Sequence, residues 1–361
     1  MMIQPRRFHP WKTLWVLAVV VAFAVFTWLR DARAPADIHW TGETMGTTYS
    51  MRIADAHMSM KELKALQTAI SARLVEVSRE MSHYIPDSEI SRFNKSTSTE
   101  PFTISAPFAR VVRFAIDLHE KSGGVFDPAL GPLINLWGFG PAGRVTKAPS
   151  QEEIDKTMPD IGCEHLSMAG ETAIRKDVPG LQLNLSAVAK GYGVDEVARV
   201  MFDHGLKNFF VEIGGEVVAF GHKDKGGPWR VGVEVPDPDA LPGEAIEAVL
   251  EISGCAVATS GDYRNFFVDE EGHRFSHILD PRTGRPITHN LASVSVVADD
   301  CMTADGIATT LYALGAQEGY DWLLKTYPGI EALFIIRKED GTFIEKATPG
   351  FETRTGYRAR Q

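Results

Sequence analysis

Cysteine is scarce in this sequence: Cys163, Cys255 and Cys301 are all that its 361 residues hold. An odd, scattered set without CxxC or Cys/His spacing suggests neither a zinc site nor a disulfide framework. Small buried apolar residues is their expected role. Outside the first thirty residues the chain also lacks any dense Lys/Arg run, and 37 basic against 47 acidic residues leave a net charge of -10. No phosphate-tracking stripe can form from that pattern, so nucleic acid is not an expected partner. Repeats and low-complexity tracts are absent as well, which leaves an ordinary globular chain with ample apolar content for a core.

One long apolar run is present. Arg6, Arg7 and Lys12 precede a nearly unbroken apolar stretch from Thr13 to Leu29, roughly the 17 residues of the shortest bilayer-spanning helices. Positive charge before the run places residues 1–12 in the cytoplasm and the rest outside. The expectation is a single-pass anchor over 13–30 in the inner (cytoplasmic) membrane, a linker over 31–40, and one periplasmic domain over 41–361. Ala34 and Ala36 offer a weak small-x-small cleavage site, crowded by Arg30, Asp31 and Arg33; cleaved or not, the segment exports the chain. No Cys follows the run, which excludes a lipoprotein anchor.

Beyond the anchor, Thr44 to Ile53 predicts a strand, and Leu63, Leu66, Ile70, Leu74, Val77 and Met81 recur at helical spacing. Ser105 is the expected N-cap of a second amphipathic helix ending at Gly123-Gly124, and Ser150 with Glu153 has the capping-box form. From about Leu181 short β-rich runs follow: Asn208 to Ile213, Glu216 to Phe220, Trp229 to Val235 and Ala292 to Val297. Two helices interrupt them, from about Ala187 to Asp203 and from about Thr303 to Leu314. Strands and helices do not alternate strictly, so the expected class is α+β with mainly antiparallel sheet.

Three segments carry chemistry. Asn184-Leu-Ser-Ala-Val-Ala-Lys-Gly-Tyr-Gly193 enters a helix with Lys190 in its first turns, where free N–H groups and an ammonium suit a phosphate-bearing ligand. A capped helix with a surface lysine has the same pattern. Asp305 and Thr309, four apart on one helix face, are hard oxygen ligands suited to Mg²⁺; complementing the helix dipole is the alternative role for Asp305. His277, in a strand leading into the Asp280-Pro-Arg-Thr-Gly284 turn, is a candidate base for a hydroxyl near neutral pH. Glycine-bearing segments at 125–140 and 212–216 let backbone approach a ligand, while Phe126, Trp137 and Phe139 offer cover for flat aromatic surface.

Taken in order, these segments resemble the FAD:protein FMN transferase family, the ApbE-like proteins once described as thiamine-biosynthesis lipoproteins. The matching stretches are Thr44-Met-Gly-Thr-Thr48, Ser82 to Ser91, Phe126-Asp-Pro through Leu136-Trp-Gly-Phe-Gly140, and Asn184 through Tyr192. They continue with Glu212-Ile-Gly-Gly215, Thr259-Ser-Gly-Asp-Tyr263, His277 to Gly284 and Asp305-x-x-x-Thr309. The resemblance implies a T-fold-like body with two subdomains flanking an FAD cleft. By position it implies FAD contacts at Met45, Tyr84, Val125, Phe126, Asp127, Asn184, Lys190 and Leu279. It implies a Mg²⁺ site from Asp305, Thr309 and the Ala187 carbonyl, and His277 as base.

The implied reaction moves FMN from FAD to a Thr or Ser hydroxyl of an acceptor, a membrane or periplasmic redox protein, and releases AMP. FAD hydrolysis to FMN and AMP, or a non-catalytic FAD-binding electron-transfer module, are the alternatives. Two features depart from the family: Asn184 stands where Asp is frequent, and a helix replaces the usual lipidated Cys.

Overall fold

Polar and apolar residues already alternate at the start of the described chain, where Ile38 and Trp40 are half-buried while Asp37 and His39 are exposed. Ala36–Thr44 is consequently a strand, β1, and the expected linker over 31–40 gives up its last five positions to the sheet. The structure, a computed structural model, describes Trp15 and residues 19–23, 36–223, 226–234, 246–261, 266–269 and 272–357. Among the described residues no helix is long and apolar enough to cross a membrane. The expected anchor over 13–30 lies outside them apart from Trp15 and residues 19–23.

β1 turns at Met45 and Gly46 into β2 (Thr47–Ala56), so the single strand expected from Thr44 to Ile53 is the second arm of a hairpin. Numbering only the strands of the main sheet, these are followed by β3 (Phe209–Ile213), β4 (Glu216–Phe220), β5 (Cys255–Gly261), β6 (Leu291–Ala298), β7 (Glu331–Arg337) and β8 (Phe343–Ala347). The eight lie side by side in sequence order, and every neighbouring pair is antiparallel. The expected α+β class with antiparallel sheet is what the chain forms.

Period-2 alternation makes both sheet faces apolar. Val218, Ala256, Ala258, Val296 and Phe334 face one core; Val217, Val257, Val297, Leu333 and Ile335 face another. The first core is covered by α1 (Met60–Met81), α2 (Ala106–Lys121), α3 (Ser186–Asp203) and α4 (Cys301–Leu314). The second is covered by a hairpin of Trp229–Glu234 with Ile246–Ile252 and by the short helix Phe351–Thr355. A third cluster, with Leu133, Trp137, Ile154 and Leu279, forms beside the sheet. The three cysteines are free and buried.

Caps read from sequence are in place. Ser105 accepts from the Phe108 N–H at the start of α2, and Ser150 with Glu153 forms both halves of a capping box. Each such interaction is local, satisfying N–H groups that the first turn leaves without helical partners.

Candidate active site

Helices α3 and α4 cross so closely that a Cβ on Gly191 would come within 2.3 Å of the Cys301 carbonyl oxygen. Glycine is therefore required here for helix contact. Asp195 of α3 then caps α4, accepting from the Cys301 N–H at 2.8 Å and the Met302 N–H at 2.9 Å, and Asp300 accepts from the Thr303 N–H. With Asp195 and Asp300 holding the α4 N-terminus, Asp305 is left for another task. Its Oδ2 accepts from the Gly191 N–H at 2.9 Å. In an unbroken α-helix that N–H points to the Ala187 carbonyl, so Asp305 competes for the proton and eases the Ala187 oxygen of its helical partner. Thr309 follows one turn along the same face, its hydroxyl 3.4 Å from Ser260 Oγ.

Lys190 stands over this junction. Its Nζ lies 2.5 Å from Glu216 Oε1 and 3.9 Å from Asp305 Oδ1. The Gly214-Gly215 turn between β3 and β4 brings Glu216 in: both glycines have positive φ, and a Cβ on Gly214 would sit 2.8 Å from Thr47 and 3.3 Å from the Lys190 stem. Burial pushes the Asp305 carboxyl up to about 7, against the pull of the neighbouring ammonium. Burial pulls the Lys190 ammonium down, but Asp305 and Glu216 outweigh it and leave its pKa above the ordinary value. Once Asp305 is ionised, above about pH 7, two carboxylates against one ammonium leave a surplus negative charge. Asp305, the Thr309 hydroxyl and the Ala187 carbonyl make an all-oxygen set that fits a hard dication such as Mg²⁺.

This buried carboxyl has a consequence for stability. Between pH 3.8, the ordinary value, and about 7 the folded protein holds a proton on Asp305 that the unfolded chain has released. Stability in chelator is accordingly expected to fall as pH rises through that window. Asp195, raised to about 6 by burial, acts with the same sign. Urea unfolding at pH 5 and pH 8 should show a smaller fall for Asp305→Asn than for the native chain, and an equal fall in both would contradict the assignment.

Above the junction opens a cavity of about 1050 Å³, at the upper end of the few hundred to about 1,000 Å³ usual for small-molecule sites. Of the residues singled out from sequence, Tyr84, Val125, Phe126, Asp127, Asn184, Ala187, Lys190, His277, Leu279, Asp305 and Thr309 all line it. Met45 does not. It borders an adjoining pocket of about 590 Å³, held in a left-handed turn conformation with its sulfur against Gly193 of α3.

The wall residues differ in how they are held. Tyr84 is 62% exposed, and its hydroxyl donates to the Phe139 carbonyl at 3.3 Å. Both Asp127 oxygens accept backbone N–H groups, from Ala129 and Cys163, and burial raises its pKa. Asn184 Oδ1 accepts from the Ser186 N–H, consuming one N-terminal donor of α3. Trp137, expected to cover a ligand, is instead 1% exposed in the third core. Its indole N–H donates to the Gly284 carbonyl at 2.8 Å and so fixes the 280–284 turn against the 125–140 segment. His277 sits on the bend between Arg274–Ser276 and Leu279–Asp280 rather than within a strand, half-buried, its ring centroid 6.3 Å from that of Phe139.

Arg144, Arg230, Thr259, Ser260 and Glu216, none of them given a role from sequence, also line the cavity. Thr259 and Ser260 stood in a family-matching stretch and Glu216 closed a Gly-Gly turn, whereas Arg144 and Arg230 had no signal.

The ApbE family profile matches residues 45–334. The FAD:protein FMN transferase of Vibrio cholerae serotype O1 is 42% identical over 334 residues, covering 92% of this chain and 97% of that one. Among solved structures, the flavin transferase ApbE from Vibrio cholerae superposes with a TM-score of 0.80 at 41% identity, covering 89% of this chain and 99% of its own. The apo flavinyl transferase ApbE of Pseudomonas stutzeri gives a TM-score of 0.79 at 35% identity, covering 90% and 98%. With a profile that runs from the β1–β2 turn to β7, and relatives matched over nearly their whole length, this chain belongs to the ApbE family.

Proposed function

We propose that this protein is an FAD:protein FMN transferase that moves the FMN half of FAD onto a Thr or Ser hydroxyl of an acceptor protein, with Mg²⁺. One observation carries the reading beyond family membership. The α3–α4 junction sets oxygen ligands, a surplus negative charge and an ammonium on the wall of a cavity large enough for a dinucleotide.

Asp305, Thr309 and the Ala187 carbonyl would hold the cation, which when bound supplies charge neutralisation at the diphosphate. Lys190 offers its ammonium to the phosphate oxygens. Tyr84, Val125, Phe126, Asp127, Asn184 and Leu279 shape the FAD site, with Met45 at the adjoining pocket. His277 takes the proton of the acceptor hydroxyl. As the new O–P bond forms at the FMN phosphorus, the bond to the AMP oxygen breaks, and AMP leaves with the electron pair. Positioning and charge compensation supply most of the rate in such transfers. The main sheet with its helices, and the separate cluster built from the 125–161 and 274–286 segments, are compatible with a T-fold-like body in which two subdomains flank the FAD cleft.

The test combines FAD, Mg²⁺ and an exported redox protein, read as flavin fluorescence retained by the acceptor in a denaturing gel. Release of free FMN and AMP with no labelled acceptor would favour hydrolysis, and FAD binding with neither product would mark a carrier.

The sequence supports the further proposal of cytoplasmic residues 1–12, an inner-membrane anchor over 13–30, and the catalytic domain on the periplasmic side. The full chain is expected in the membrane fraction, and a chain starting at Ala36, which keeps β1 whole, in the soluble fraction with transfer intact. Recovery of the native chain as a soluble periplasmic protein lacking residues 1–35 would overturn the anchor.

A further inference from the structure

Glu216 is a buried carboxylate on the cavity wall that the reaction above does not employ. It opens β4 directly after the Gly214-Gly215 turn and is 4% exposed. Its two oxygens are treated unequally: Oε1 holds the Lys190 ammonium at 2.5 Å, whereas Oε2 is buried without a hydrogen-bond partner among the described residues. A carboxylate kept only to neutralise a lysine has no use for an unpaired buried oxygen, because leaving such an acceptor unsatisfied is costly. The Oε2 atom belongs to a residue that lines the cavity together with Asp305 and Thr309. What completes it must bring hydrogen-bond donors to an electronegative pocket. Water in the shell of a dication does so, since its hydrogens point away from the metal and Mg²⁺ keeps several such waters.

We propose that Glu216 is a positioning residue of the flavin transfer. Oε1 fixes the Lys190 ammonium toward the FAD diphosphate, and Oε2 accepts a hydrogen bond from a water of the divalent cation's shell. The proposal rests on the flavin-transfer reading above. It adds to the expected metal set a residue that acts through water and through Lys190.

Glu216→Gln tests it with little change of shape. If the amide oxygen turns to Lys190, its NH₂ meets the cation's water donor to donor; if it turns the other way, Lys190 loses its partner. With the full-length protein in detergent, FAD binding is followed by FAD fluorescence while Mg²⁺ is titrated. The Mg²⁺ concentration at half-saturation should rise tenfold or more, by a larger factor than any loss of FAD affinity measured in chelator. Glu216→Asp, which keeps the charge on a shorter stem, should fall between the two.

A second comparison separates the two oxygens. In a Lys190→Met background, adding Glu216→Gln should weaken Mg²⁺ again, by a similar factor. If Glu216 only neutralises Lys190, the second substitution changes nothing, and the proposal is overturned. It is equally overturned if Glu216→Gln lowers the melting temperature but leaves the Mg²⁺ half-saturation unmoved. Absence of Mg²⁺-dependent FAD binding in the native protein would instead defeat the underlying flavin-transfer reading.

Discussion

Asp305→Ala is expected to abolish divalent-cation-dependent flavin transfer at every Mg²⁺ concentration. Of the oxygen groups proposed to hold the cation at the α3–α4 junction, Asp305 contributes the charged one, and its Oδ2 also accepts from the Gly191 N–H. Removing it leaves that N–H to the Ala187 carbonyl alone, so two of the proposed ligands are expected to weaken with one substitution. It also leaves Glu216 alone against Lys190, which cancels the surplus negative charge that draws a dication. Thr309→Val should do less, because a hydroxyl is a neutral ligand and its loss is worth about 1–2 kcal/mol, or roughly five- to thirtyfold. The measurement is transfer rate against Mg²⁺ for the three proteins, with melting curves to show that the variants fold. Full activity of Asp305→Ala in chelator would remove the metal from the mechanism.

His277→Asn should leave FAD binding nearly intact while slowing transfer by about a hundred- to ten-thousandfold, the usual worth of a general base. The ring occupies a bend held from both sides. Two short strands flank it, and the turn that follows is pinned by its own 2.9 Å Gly284 to Asp280 hydrogen bond and by Trp137. A side chain so placed is oriented without contributing charge to the diphosphate site, where Lys190 already stands. Since only the unprotonated imidazole accepts a proton, the native rate should drop on acidification, and the variant should lose that limb of its pH profile. If the variant binds FAD poorly yet transfers normally once saturated, His277 is a binding residue and the acceptor's proton goes elsewhere.

Much of the fold was legible because the signals were local. Apolar residues three and four apart marked α1, where Leu66, Ile70, Leu74, Val77 and Met81 are buried. Ser105 and Ser150 marked helix starts within a residue, and Gly315, at φ 80, marked the end of α4. The miss at the first strand had a different origin. The short tether expected after an apolar run obscured the alternation from Asp37 to Trp40, which becomes a strand because β2 is available to pair with it.

Site residues separate along the same line. That Asp305 and Thr309 share a face was readable from their spacing, as was the position of Lys190 in the first turns of α3. Nothing in the spacing near Trp137 distinguishes an aromatic lid from a core residue; burial against Leu133 and Ile154, and an indole bond to a carbonyl 147 positions away, settle it. Glu216 showed only its place after a Gly-Gly turn, whereas its proposed role lies in an oxygen that Lys190 does not reach.

By itself the amino-acid sequence determined the α+β class, most helix ends and the residue types able to hold a phosphate and a hard cation, because periodicity, caps and turns act over a few residues. Only the tertiary structure decided which of those residues meet. Gly191 and Asp305 are 114 positions apart, and they join because a glycine without a Cβ lets α3 and α4 touch while Asp195 caps the second helix with the first. That contact depends on two distant surfaces fitting together.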